Sequence, residues 1–86
     1  MDEPQDKSIE KLAQRIEDRL TIKHGTTLLG GEALWKELGY PSVFAFRKAL
    51  SRNKVPVKVF KIENRRGNFA LVREVANWLA EQSIQP

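Results

Sequence analysis

Cysteine is absent from this chain of 86 residues, and histidine occurs once. The missing thiols exclude a disulfide framework, a zinc finger and a cysteine nucleophile, and they sit most easily with a reducing, intracellular compartment. One imidazole supplies metal chemistry poorly. No stretch approaches the roughly 18 apolar residues of a membrane-spanning helix, and the start Met1-Asp2-Glu3-Pro4 is acidic and lacks the apolar run of a secretory signal. A soluble protein that does not enter membranes is expected. The usual constellations of catalysis are also missing. Glu32, Glu37 and Glu63 are scattered, no Ser/His/Asp set assembles, and Gly30-Gly31 precedes a helix without the lysine of a phosphate-binding loop. The chain is therefore read as a non-enzyme with no cofactor and no metal.

What the chain does have is a lopsided distribution of charge. Residues 1 to 20 hold four basic and six acidic side chains, residues 21 to 73 hold eleven basic and three acidic, and residues 74 to 86 hold only two acidic ones. Between Arg47 and Arg66 there are eight cations, Arg47, Lys48, Arg52, Lys54, Lys58, Lys61, Arg65 and Arg66, against Glu63 alone. Such a stripe favours a polyanionic partner, the alternative being a solvated surface that happens to be basic. A chain of this length buries only about 60–65% of its unfolded surface, so one small core and one domain, residues 1–86, are expected.

From Ser8, the residues Ile9, Leu12, Ala13, Ile16 and Leu20 recur at helical spacing with charged residues between them. Asp6 or Ser8 is the expected cap, and Gly25, just past Lys23 and His24, suits the end of this N-terminal helix, taken as residues 1–25. Thr26 to Leu29 reads as a short extended piece. Glu32 to Leu38 then places Leu34, Trp35 and Leu38 on one helical face, with Gly39 as its stop. Tyr40-Pro41-Ser42 turns the chain into a second short helix over 42–52. Its buried stripe is Val43, Phe46 and Leu50, which leaves Phe44, Ala45, Lys48, Ser51 and Arg52 outward and Arg47 at the margin.

Asn53-Lys54 ends that helix, and Val55-Pro56 forces extended geometry. The β-branched and aromatic run Val57 to Ile62, the turn residues 63–68 and the run Phe69 to Val72 predict a hairpin with a basic tip. From Arg73 to about Gln82, Val75, Trp78 and Leu79 define a closing helix, with Ser83 to Pro86 expected to fray.

The predicted fold is α+β, mainly α. Helix, glycine-bearing turn, short helix, basic hairpin and closing helix form the layout of a winged helix-turn-helix over 26–82, with a two-stranded wing and an extra N-terminal helix. The pair of short helices around Leu38-Gly39-Tyr40, the exit Val55-Pro56, the stretch Arg66-Gly67-Asn68-Phe69 and the closing Arg73-Glu74-Val75-Ala76-Asn77-Trp78-Leu79 carry a resemblance. From Leu28 to Gln82, about two thirds of the chain, the sequence resembles the excisionase and AlpA-type prophage-activator domains of the MerR-like winged-helix superfamily. The resemblance implies that helix 42–52 enters the major groove through Phe44, Ala45, Lys48, Ser51 and Arg52, and that Arg65 and Arg66 belong to a wing. This chain departs from the pattern in its N-terminal helix, in Pro41 and in the outward Phe44, so a DNA sequence preference does not carry over.

The expected function is double-stranded DNA binding by a small transcriptional regulator or an excisionase-like accessory factor, cytoplasmic and nucleoid-associated. Helix 42–52 would read the major groove and wing 57–72 the backbone or minor groove. The interface set is Ser42, Phe44, Ala45, Arg47, Lys48, Ser51, Arg52, Lys54, Lys58, Lys61, Arg65 and Arg66. The competing expectation is a protein-interaction module that docks an acidic partner through the same face. Three features keep more than one reading. Phe44 touches a thymine methyl or, if the helical phase slips by one residue, joins the core. Arg73 pairs with its acidic helix or contacts phosphate. The stripe Ile9, Leu12, Ile16, Leu20 completes the domain's own core, the favoured reading, or forms a homodimer contact, with DNA-assisted assembly a further route. Trp35 and Trp78 are expected in the core, and His24 is expected to interact with the helix dipole.

Overall fold

A computed structural model describes residues 3–84, with side chains from Ser8 onward. The chain forms α1 (Glu3–His24), β1 (Leu28–Gly30), α2 (Gly31–Glu37), α3 (Val43–Ser51), β2 (Phe69–Leu71) and α4 (Val72–Ser83). This is a small, compact α+β domain, mainly helical, with one antiparallel sheet of two strands.

The helices follow their apolar stripes. In α1, Ala13 and Leu20 are buried and Ile16 packs against the core. The helix lies along α4, whose Val75, Ala76 and Ala80 are fully buried. Leu34 and the capping residue Leu38 just past its end bring α2 into the same core, and Phe46 does so for α3, its ring centroid 5.5 Å from that of Tyr40. Burying Leu29, Leu34, Val72 and Val75 completely contributes about 1.5–3 kcal/mol for each side chain. Trp35 and Trp78 pack partly buried against this cluster.

The turn between α2 and α3 is held by backbone chemistry. Gly39, at φ 90°, donates its N–H to the Lys36 carbonyl at 3.0 Å, and Tyr40 donates to Trp35 at 3.0 Å. These two bonds satisfy carbonyls that the end of α2 would leave unpaired, and the left-handed backbone they require favours glycine. Asn53, at φ 58°, does the same for α3, with Asn53 N–H on Leu50 at 3.0 Å and Lys54 N–H on Ala49 at 2.8 Å.

The hairpin expected from Val57 to Val72 is corrected. β2 pairs with β1, in the register Leu28↔Leu71, Leu29↔Ala70 and Gly30↔Phe69, and Val72 already belongs to α4. Val57 to Ile62 is not a strand. It touches β2 through a single antiparallel bridge, Phe60↔Phe69, with both N–H···O distances 2.8 Å. Pro56 offers no N–H to a ladder, and buried Val57 anchors the segment by its side chain instead. The bridge closes a loop whose far end turns at Ile62 to Arg65, where the Arg65 N–H donates to the Ile62 carbonyl at 3.1 Å and Asn64 takes φ 63°.

Two expectations about ends are also corrected. α1 begins at Glu3, so Ser8 lies inside the helix; the Asp6 side chain lies outside the described side chains. α4 runs through Ser83, whose hydroxyl donates to the Ala80 carbonyl at 2.9 Å; the fraying expected for Gln85 and Pro86 lies outside the described residues. His24 does more than sit at a helix end. Its Nε2 donates to Glu37 Oε2 at 2.8 Å, and Lys23 Nζ reaches the same oxygen at 2.8 Å. Burial raises the Glu37 pKa, but hydrogen bonds and charge from Lys23 and His24 outweigh it and hold the carboxyl below its ordinary value of 4.5. This contact fastens the end of α1 to the end of α2.

Candidate nucleic-acid interface

Helix α3 starts at a well-defined point. Ser42 is extended, and its Oγ accepts the Ala45 N–H at 3.1 Å, satisfying one of the donors left free in a first helical turn. The helix then turns Phe46 inward, with Val43 and Leu50 partly buried, as its periodicity predicts. Phe44 is 74% exposed, which removes the alternative that placed it in the core.

The outward side of α3 is basic and uncompensated. Arg47, Lys48, Ser51, Arg52 and, just beyond the helix, Lys54 are exposed, and Ala45 is half-buried. Ala45, Lys48, Arg52 and Lys54 line one open depression with Tyr40 and Ala49. The hydroxyl of Ser51 donates to the Lys48 carbonyl at 2.9 Å. No acidic residue stands in the first turn of α3, and Lys48 lies in its last turn, where a cation suits the negative end of the dipole.

The loop closed by Phe60 and Phe69 meets the other flank of α3. Arg47, Val43 and Phe46 of α3 share a cleft with Gly67 and Asn68 of the loop and with Gly31 and Trp35 of α2. A second groove runs between the end of α3, at Leu50 and Asn53, and the extended segment that carries Lys58 and Lys61. The loop therefore packs alongside α3. Arg65 sits with its guanidinium carbon 5.6 Å from the centroid of the Phe69 ring, and Arg66 beside it is exposed.

Among the described residues, no carboxylate stands within ion-pair distance of any of the eight cations from Arg47 to Arg66; the ion pairs present are Lys23–Glu37, His24–Glu37 and Lys36–Glu32. Arg73 is exposed as well. The structure thus brings Arg47 next to the loop, groups Lys48, Arg52 and Lys54, and sets Lys58 and Lys61 in the intervening groove. Ser42 is committed to capping its own helix. Among the described residues, no three His, Cys, Asp or Glu side chains group as metal ligands, and no helix is long and apolar enough to cross a membrane.

One contact escaped sequence reasoning: Phe69 supports Arg65, signalled only by the two phenylalanines that flank the turn. Asn53 ends α3 as expected, through the left-handed backbone that its residue type tolerates. Comparison with family models, curated proteins and solved structures finds no match for this chain.

Proposed function

We propose that this protein is a helix-turn-helix module, with the loop closed by Phe60 and Phe69 in the place of a two-stranded wing, that binds double-stranded DNA as a small transcriptional regulator or an excisionase-like accessory factor. The observation that carries the reading is the row of eight exposed cations on α3 and the following loop, none neutralised by a carboxylate among the described residues. So many like charges on one stretch of a small domain raise a positive potential that attracts a polyanion.

In this reading each part has a role. A helix about 10–12 Å across fits a major groove about 12 Å wide, and α3 presents Phe44, Lys48, Ser51 and Arg52 outward. Helix α2, joined to α3 by the Gly39 turn, crosses over the backbone. Arg65 and Arg66, carried on the loop beside α3, contact phosphates or a narrow minor groove. Lys54, Lys58 and Lys61 add sequence-independent attraction. The resemblance to excisionase and prophage-activator domains points the same way.

Titration of a fluorescent mixed-sequence duplex across a series of salt concentrations tests this. If six to eight phosphates are neutralised, log affinity falls against log salt with a slope of about −5 to −7. Arg65→Ala with Arg66→Ala weakens every sequence and reduces the slope by about 2, whereas Lys48→Ala changes the preference among sequences. Absence of duplex binding at low salt overturns the proposal in favour of an acidic protein as the partner of the same face.

A further inference from the structure

Phe44 is an apolar side chain of α3 that the fold leaves unused. It is 74% exposed, while Phe46, two residues on, is 5% exposed and completes the core. A scattered exposed hydrophobic residue needs no explanation in itself, but the setting of this one is specific. Phe44 is the second residue of a helix whose start is fixed by the Ser42 cap, and helical side chains lean toward the N-terminus. The ring therefore projects from the leading end of α3. Arg47 and Lys48, three and four residues further on, neighbour it on the helix surface, both exposed and without a carboxylate partner among the described residues.

An apolar ring bordered by cations asks for a partner that is apolar at one point and anionic around it. A major groove meets that description. Its walls are phosphates, and its floor presents hydrogen-bond donors and acceptors, with the 5-methyl group of thymine as its one bulky apolar feature. A phenyl ring has no hydrogen bond to offer. Set against a donor or acceptor edge it would displace water and return nothing, so the methyl group is the floor feature it favours. Insertion as a wedge in the minor groove does not fit, because that groove is about 6 Å wide and Phe44 is carried on a helix about twice as broad.

Resting on the DNA-binding reading above, we infer that Phe44 is a specificity-determining residue that selects a pyrimidine 5-methyl group, in ordinary DNA a thymine, at one position of the bound site. Lys48 and Arg47 hold the flanking backbone or a neighbouring base edge, and the ring supplies a selectivity that charge alone does not provide. A protein partner with an apolar knob in an acidic rim is the rival occupant. It is less favoured because the cations continue past the helix through Lys54, Lys58 and Lys61 to Arg65 and Arg66, a longer track than one knob requires.

The test uses the full chain and a random-sequence duplex library from which the wild type enriches its preferred site. In that enriched duplex each thymine is replaced in turn by deoxyuridine, which keeps every hydrogen-bonding group and removes only the methyl. One replacement weakens wild-type binding about three- to tenfold, as expected for losing one buried methyl contact. Phe44→Ala binds the thymine and uracil duplexes equally and keeps the wild-type salt slope; Phe44→Leu retains part of the discrimination. Circular dichroism of both variants matches the wild type, since the ring is outside the core. An enriched site without thymine, wild-type indifference to every uracil, or uracil sensitivity undiminished in Phe44→Ala overturns the inference while duplex binding stands. Failure to retain any duplex at low salt removes the DNA-binding proposal itself, and the inference with it.

Discussion

The ring of Phe69 fills the space that a side chain at Gly30 would need: a Cβ there would stand 2.6 Å from both Cδ1 and Cε1. The two residues are register partners in the sheet, and Gly30 has φ −147° and ψ 166°, a backbone any residue adopts. The requirement for glycine is thus one of space. Phe69 is held on both sides, by β1 and by the Phe60 bridge, and it also supports Arg65. Gly30→Ala is expected to cost about 1–3 kcal/mol through overpacking. If the proposed function holds, it is also expected to weaken duplex binding, because moving the ring moves Arg65. In urea unfolding, Gly30→Ala combined with Phe69→Leu recovers part of the loss, with a coupling of about 1 kcal/mol. Strict additivity would show that the contact is not what constrains position 30.

Ser42 separates stability from binding. Ser42→Ala removes the acceptor for the Ala45 N–H and is expected to cost about 1 kcal/mol in thermal or urea unfolding. Ser42→Asp keeps an acceptor and suits the positive end of the helix dipole, so its stability stays near the wild type. Yet it places a carboxylate at the leading end of α3, where the proposed function predicts a drop in duplex affinity. Unchanged affinity for Ser42→Asp would mean that this end of α3 does not approach phosphates.

The helices were legible because each carries its own period. Val43, Phe46 and Leu50 are enough to set the phase of α3 and turn Phe44 outward, and Gly39 marks the stop of α2 by a local backbone requirement. The strands were not. β2 finds its partner in β1, some forty residues upstream, and a three-residue strand has too few positions to reveal by alternation which ladder it joins. The apolar run after Pro56 looked like the natural neighbour because it is close in sequence, but it spends its side chains on the core and keeps one bridge. The interface residues were readable as a charge cluster on the chain. That Arg47 shares a cleft with Gly67 and Asn68 depends on how the loop folds back over α3, and no local pattern encodes that. His24 and Glu37, thirteen residues apart, meet for the same tertiary reason.

Glu37 gives the fold an acid-sensitive fastening. Its pKa is lowered in the folded protein, so at pH values just under 4.5 the unfolded chain binds more protons than the folded one and stability rises with pH. The contribution is fully present above 4.5 and is lost as pH falls through the lower folded value. Glu37→Gln flattens this part of the stability profile measured by urea unfolding. Near neutral pH it costs about 1 kcal/mol, through the hydrogen bond to partly buried His24. Lys23→Ala has a smaller effect, because Lys23 is 65% exposed and its attraction to Glu37 is screened by solvent. An acid limb as steep in Glu37→Gln as in the wild type would assign the sensitivity to other carboxylates.

The role of α1 can be decided at Leu20. This residue is 7% exposed within a single copy of the chain and belongs to the same cluster as Val75 and Ala76 of α4, while Ile22, in the last turn of α1, is 82% exposed. A side chain already buried by its own domain is not available to a second copy. Leu20→Ala is expected to cost about 2–5 kcal/mol, a large share of the about 5–15 kcal/mol that holds a small domain together. Ile22→Ala should stay within about 0.5 kcal/mol. The midpoint of thermal unfolding should be independent of protein concentration, for the wild type and for both variants. A dimer built on this stripe predicts the opposite, a midpoint that climbs with concentration and a Leu20→Ala defect that is largest in dilute solution. If the own-core role holds, deleting residues 1–25 removes the cover from Val75 and Ala76, so the remainder loses its cooperative transition and, with it, the platform on which α3 is presented.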